Sequence, residues 1–307
     1  MSPKTKTFLE RGFSTVVLLG LLGGAVAWNE PLAYAVLICL FCNLTSIEWF
    51  NMLRERRDET NRPLALIAGL LYPWLMAAVS RACMQSDFCS YYTYSHTITG
   101  VALIFLIVYA LIAFFCELFR MDYRGRSGAQ ALASMGSTLL AFIYPVWLFC
   151  FSFFFLYSGQ SIMLLLWLIL FTKMSDIFAY CSGVLLGGKI FGERRFSPVV
   201  SPKKTWEGIC GSFIITLAAG CALAYAMIPS FISNAQECCY MLILEAVLFV
   251  LAVAGDLAGS LIKRGLAVKD SGSLLPGIGG IFDLIDSPAF TVSALCVFSA
   301  LMGLLFL

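Results

Sequence analysis

The chain is poor in charge and almost without histidine. Asp, Glu, Lys and Arg make up 12% of its 307 residues, and His96 is the single histidine. A water-soluble domain could not cover the apolar surface implied by 60% hydrophobic residues and a mean hydropathy of +0.89, so that class is excluded. No Cys stands at metal-ligand spacing from the one His, which excludes a His/Cys metal centre. No soluble domain, long linker or convincing internal repeat breaks the pattern. Gly187-Gly188-Lys189 is no P-loop, because the preceding strand and the proper spacing are missing.

What remains is a series of long apolar runs. Val101–Phe115 carries no charge and Met241–Val253 only Glu245, and their lengths suit helical spans of roughly 20 residues. The spans read as 13–28, 31–50, 64–82, 97–118, 131–157, 160–183, 207–228, 241–262 and 288–307. The expected fold is an all-α, polytopic integral membrane protein of about nine transmembrane helices. Lys and Arg test the count. They gather at 4–11, 54–62, 120–126, 189–204 and 263–269, on one side of the spans, while the opposite side holds Arg81 and almost nothing else. By the positive-inside rule the N-terminus is cytoplasmic and the C-terminus outside. The first apolar segment has a basic start but no clear cleavage site, and reads as a retained helix.

Eight of the twelve cysteines fall within spans, where they act as small apolar residues. Cys83, Cys89, Cys238 and Cys239 fall on the outer side. If that side is oxidising, a Cys83–Cys89 disulfide is allowed; the alternative is free thiols without a role.

Residues 1–158, about five spans, are generic. The chemistry is expected in 159–307, with cytoplasmic loops at 184–206 and 263–287. Two carboxylates there lie within the inner halves of spans: Asp176 in "LFTKMSDIFAYCSG" and Asp256 in "AVAGDLAGSLIKRG". A charge at such depth costs several kcal/mol unless it faces a cavity or a partner. Each is therefore either a functional group or one half of a pair with a nearby Lys or Arg. The small residues that follow them (Ala179, Ser182 and Gly183; Gly259 and Ser260) permit close helix approach. Glu245, near the outer end of its span, is expected to reach the interface.

The loop 184–206, "VLLGGKIFGERRFSPVVSPKKTWEG" with its flanks, is Gly-rich, then basic, then opens a helix that Ser201 or Thr205 could cap. Backbone N–H groups, Lys203, Lys204 and a helix N-terminus together suit a polyphosphate, although on this loop alone a positive anchor against anionic lipid is the better reading. The stretch "SLIKRGLAVKDSGSLLPGIGGIFDLIDSP" decides between them. Lys263 and Arg264 could anchor a helix end, but anchoring does not explain Lys269-Asp270, the flexible "PGIGG", or Asp283 and Asp286 three residues apart. On a helix those two share a face. Paired carboxylates beside Lys and Arg are what Mg2+ and a polyphosphate require together.

At these residues the chain resembles the phosphatidate cytidylyltransferase family, also called CDP-diacylglycerol synthases. The family's Ser, Lys-Arg and Lys-Asp positions are matched by Ser260, Lys263-Arg264 and Lys269-Asp270. Its Gly-rich loop and final Asp pair are matched by Pro276-Gly277-Ile278-Gly279-Gly280 and by Asp283-Leu284-Ile285-Asp286. "DIFAYCSG" and "SPKKTWEG" resemble two further family segments, so the resemblance covers about residues 172 to 288. There are two departures: Ile278 stands where the family usually has His, and Leu284 where it usually has Arg. A mechanism needing that His as general base is excluded, and one resting on metal, Lys and Arg survives.

The resemblance implies that CTP and phosphatidate give CDP-diacylglycerol and pyrophosphate in phospholipid biosynthesis, with Mg2+ required and room for a second, monovalent cation. It implies a catalytic set of Lys263, Arg264, Lys269, Asp270 and Asp256, and a metal set of Asp283, Asp286 and Asp256. Ser201, Lys203, Lys204, Thr205, Ser260 and Asp176 are the implied substrate-binding residues. The partners are CTP, phosphatidate and membrane lipids, without nucleic acid, and a homodimer is compatible. The expected location is a bacterial inner membrane with the active site facing the cytoplasm. The alternatives are a CTP-dependent lipid-alcohol kinase of the same wider group, an ion-coupled transporter, and an inactive scaffold.

Overall fold

The computed structural model describes residues 3–28, 30–53, 60–192, 194–276 and 279–302. Its helices are α1 (Pro3–Trp28), α2 (Pro31–Met52), α3 (Arg62–Met84), α4 (Tyr91–Arg124), α5 (Gly128–Phe142), α6 (Gly159–Leu186), α7 (Trp206–Met227), α8 (Ala235–Gly265) and α9 (Phe282–Met302). Among the described residues, eight helical stretches are long and apolar enough to cross a membrane, and Val16–Trp28 is a shorter apolar helix. The protein is thus all-α and polytopic.

Helix ends follow local chemistry. Ser90 and Ser158 accept N–H bonds from Thr93 (3.1 Å) and Ser161 (3.2 Å), and Ser127 and Gln130 form a reciprocal capping box. Gly125, at φ 61°, ends α4 in the left-handed conformation that glycine adopts without strain. The predicted span 131–157 is not one uniform helix. After Phe142 it widens to a π turn over Ile143–Trp147 and tightens to a 3-10 helix over Phe149–Leu156. Pro145 lies inside the π turn, and its missing N–H breaks the regular ladder there.

The chain divides into two compact units. One comprises residues 1–157 and 265–285, the other 158–264 and 286–307. In the first, Tyr72, Tyr94 and Phe142 are fully buried. Tyr94 also donates to the Phe153 carbonyl at 2.6 Å. In the second, α6 and α7 approach very closely. A Cβ on Gly208 would lie 2.9 Å from the Ala179 carbonyl oxygen and 3.2 Å from Gly183 Cα, and one on Gly211 would lie 2.9 Å from Ser182. The small residues after Asp176 therefore form the α6 side of a tight crossing. Trp167 donates its indole N–H to the Gly220 carbonyl at 3.1 Å across the same pair of helices.

Three expectations change. The loop 184–206 contains an antiparallel hairpin, β1 (Arg195–Ser197) with β2 (Ser201–Thr205), in register Arg195 to Thr205 and Ser197 to Ser201. The last helix starts at Phe282, six residues before Pro288, because a carboxylate from α2 satisfies the N–H groups that open it. Glu245 is fully buried rather than interfacial. Gly220 on α7 has no side chain to exclude its carboxylate, and the Cys221 thiol donates to Oε2 at 3.5 Å.

Candidate active site

In the second unit the β-hairpin delivers a cation to a carboxylate within a long apolar helix. Thr205 ends β2 and caps α7, accepting the Gly208 N–H at 3.1 Å, so the chain turns from strand to helix without an intervening loop. The residue before it, Lys204, forms an ion pair with Asp256 of α8. One helix over, Lys173 of α6 pairs with Asp176 at 3.3 Å. These four side chains keep 19% to 36% of their surface exposed, so the cluster is open rather than sealed in a core. Asp256 and Asp286 both act electrostatically on Lys173, and Lys204 acts on Asp176. The group therefore comprises two ammonium groups and three carboxylates, drawn from α6, β2, α8 and α9.

Backbone proximity holds this arrangement. Gly255, next to Asp256, faces the start of the α9 segment: a Cβ on it would lie 2.8 Å from the Asp286 carbonyl oxygen and 2.9 Å from Ser287 Cα. Only glycine lets α8 and α9 approach so closely. Asp286 is 3% exposed, and its carboxylate accepts the Ser287 N–H at 2.7 Å.

Glu207 organises the Gly-rich loop before the hairpin. It is 1% exposed, and one of its carboxylate oxygens accepts three backbone N–H groups, from Gly188 (3.0 Å), Ile190 (3.3 Å) and Phe191 (2.9 Å). The loop N–H groups that the sequence offered to a phosphate are thus engaged by the protein's own carboxylate.

In the first unit, the loop after α8 closes on Glu48 of α2. Ser271 donates its hydroxyl to Asp283 Oδ2 at 2.9 Å. Leu275 and Gly279 exchange two backbone hydrogen bonds of 2.9 Å each, and the Ser14 hydroxyl donates to the Pro276 carbonyl at 2.8 Å. Glu48 accepts the N–H groups of Ile281 (3.0 Å) and Phe282 (2.9 Å).

The predicted site residues thus fall in different settings. Lys204, Asp256, Asp176 and Asp286 share the charged cluster of the second unit, whereas Asp283 lies in the first unit beside Ser271. Thr205 is a helix cap. Ser201 opens β2 opposite Ser197, and Lys203 is exposed on the same strand. Lys263 and Arg264 form the last turn of α8 after a half-buried Ser260, and Lys269 and Asp270 are exposed in the loop. Ile278 lies outside the described residues, as do Gly277 and the basic positions Arg54, Arg56 and Arg57. Leu284 is half-buried in the first turn of α9.

Lys173, Glu48 and Glu207 were missed by sequence reasoning. Lys173 stood in the quoted stretch "LFTKMSDIFAYCSG", three residues before Asp176 and so on its helix face, and that spacing was signal enough. Glu48 in "SIEWF" was a charge inside a span, which is a signal in its own right.

Comparison with known proteins identifies the family. A model of the cytidylyltransferase family matches residues 9–302. Phosphatidate cytidylyltransferase of Haemophilus influenzae is 36% identical over 111 residues, 36% of this chain and 38% of that protein. Phosphatidate cytidylyltransferase 4, chloroplastic, of Arabidopsis thaliana is 39% identical over 119 residues, 39% of this chain and 29% of the relative. Phosphatidate cytidylyltransferase of Rickettsia felis is 36% identical over 129 residues, 41% of this chain and 56% of the relative. In all three the matched segment is well under two thirds of the relative's length.

Proposed function

The chain belongs to the cytidylyltransferase family, and on that premise we propose that it transfers the cytidylyl group of CTP to phosphatidate. A phosphate oxygen of phosphatidate attacks the α-phosphorus of CTP. The bond to the β-phosphate breaks, and CDP-diacylglycerol and pyrophosphate result. The observation that carries this reading is the open cluster of Lys173, Lys204, Asp176 and Asp256, with the buried Asp286 beside it, in a chain whose relatives bear that enzyme's name.

The residues fit a Mg2+ ion. The three Asp are hard oxygen donors. Mg2+ favours such a site, being held by one or two carboxylates with water and substrate phosphates. We assign it to Asp256 and Asp286; the sequence motif offers Asp283 as a further carboxylate. When bound, the ion neutralises charge on the phosphates during transfer.

The protein's own groups do the rest. Lys204 and Lys173 balance the carboxylates and offer ammonium groups to phosphate oxygens. Lys263, Arg264, Lys269 and Lys203 supply further phosphate contacts, and Ser201 and Ser260 supply hydroxyl donors. Asp270 orients the loop basic groups. The phosphatidate monoester is already ionised near neutral pH, so no general base is needed at Ile278. The charged face is cytoplasmic, with the N-terminus on that side and phosphatidate entering from the inner leaflet of a bacterial plasma membrane. A second, monovalent cation and a homodimer belong to the same proposal.

The test is pyrophosphate release by purified protein in detergent micelles. Release should require CTP, phosphatidate and Mg2+ together and should vanish in Asp283→Asn with folding retained. Release without phosphatidate, or full activity in that variant, contradicts the assignment.

A further inference from the structure

We propose that Glu48 is a positioning residue: its carboxylate pins the first N–H groups of α9 and the glycine loop before it, and so sets the place of Asp283. The inference rests on the proposed reaction only in giving Asp283 a metal to hold. The geometry stands without it.

Glu48 lies in α2, more than 200 residues away in sequence, and is 3% exposed. A buried carboxylate is stable only if its oxygens are hydrogen-bonded. Both are: Oε1 accepts from Ile281 at 3.0 Å and Oε2 from Phe282 at 2.9 Å. Those N–H groups are among the four that any helix start leaves unpaired, and the positive end of the α9 dipole favours a negative partner there. Among the described residues, the carboxylate that accepts these N–H groups comes from a different helix.

The loop is shaped to admit the carboxylate. A Cβ on Gly272 would lie 2.6 Å from Glu48 Oε1, and one on Gly280 would lie 2.5 Å from Oε2. Real Cβ atoms essentially never approach so closely, so any side chain at either position would expel Glu48 or the loop. Gly279 adopts φ 121°, which side chains rarely tolerate. The two glycines ending "PGIGG" thus have separate reasons, one conformational and one steric. The neighbouring Trp49 completes the clamp, its ring meeting Phe282 edge-on at 5.3 Å, while Tyr144 meets Phe282 at 5.7 Å. Asp283 follows Phe282 directly and is held on its other side by the Ser271 hydroxyl at 2.9 Å. Glu48 and Asp283 face one another as like charges.

Glu48→Gln, in the full-length chain, keeps the shape but turns one acceptor into a donor facing an N–H. The expected result is a Mg2+ requirement raised at least ten-fold in the cytidylyl-transfer assay. The rate at saturating Mg2+ should stay within three-fold of the parent. In the metal-free protein, backbone amide exchange across 279–285 should accelerate at least ten-fold. Glu48→Asp, which keeps the charge, should recover most of the Mg2+ affinity. If Glu48→Gln does not fold, Gly272→Ala, whose methyl would meet the Glu48 carboxylate itself, displaces the same loop and should give the same two changes. Unchanged exchange in a folded variant overturns the inference, and so does faster exchange with an unchanged Mg2+ requirement. If the parent protein makes no CDP-diacylglycerol at all, the proposed reaction fails by itself. Amide exchange then decides the pinning role alone.

Discussion

The Lys204–Asp256 pair makes the sharpest quantitative prediction. Lys204→Ala leaves Asp256 without its cation while Asp176 and Asp286 remain in the same cluster. Removing one partner of a fully buried pair costs about 3–5 kcal/mol, and an exposed pair is worth about 0.2–1 kcal/mol. With 19% and 29% of the two side chains exposed, this pair lies between those limits. A loss of roughly 1–3 kcal/mol follows for Lys204→Ala and for Asp256→Asn alike. The double variant removes both charges, so the costs should not add: a coupling of roughly 1 kcal/mol or more is expected, against about 0.3–0.5 kcal/mol of scatter for independent sites. Thermal unfolding in detergent, where about 1 kcal/mol moves Tm by roughly 2 °C in a chain of this size, resolves that difference. Turnover should be lost in all three variants, because stability returns in the double variant and the site does not. Additive losses would refute the pair; recovered turnover in the double variant would refute its place in the site.

Three further outcomes are expected. Thr205→Ala removes the α7 cap and should cost about 1 kcal/mol, with Thr205→Ser retaining most of it, measured as Tm. Gly208→Ala places a methyl 2.9 Å from the Ala179 carbonyl oxygen. It should cost roughly 1–3 kcal/mol by forcing α6 and α7 apart, again read as Tm. Cys83 and Cys89 are free thiols with their sulfurs 3.9 Å apart. Burial, and then the neighbouring Cys83, pushes the Cys89 thiol above its ordinary value. A raised value means less thiolate at a given pH, so alkylation of Cys89 should lag at neutral pH and its pH–rate profile should rise later than that of an exposed thiol. A profile matching a free cysteine contradicts this.

The spans were legible because apolar length is a property of each segment alone: every predicted span overlaps a helix. Asp176 and Asp256 were equally plain as candidates, since a charge inside an apolar run stands out in one dimension. What escaped depends on contacts far apart in sequence. Nothing local says that Glu48 caps a helix beginning at Phe282, so the start of α9 was set six residues late, at a Pro that suits a first turn equally well. The hairpin at 195–205 is short and carries two Pro, and its pairing is fixed by where Lys204 and Thr205 must go rather than by alternation. Glu245 was misplaced because the space that receives it is made by Gly220, on another helix. The pairing of Asp256 with Lys204 was foreseen only as a class of outcome, since spacing does not say which cation reaches which carboxylate.

The most direct test of the central claim follows the phosphates of CTP separately. Purified protein is given phosphatidate and Mg2+ with CTP labelled at either the α- or the γ-phosphate. Cytidylyl transfer predicts α-label in the lipid phase and γ-label in pyrophosphate, in equal amounts, with both lost on chelation. γ-label entering the lipid, with CDP released, would contradict it and make the protein a kinase.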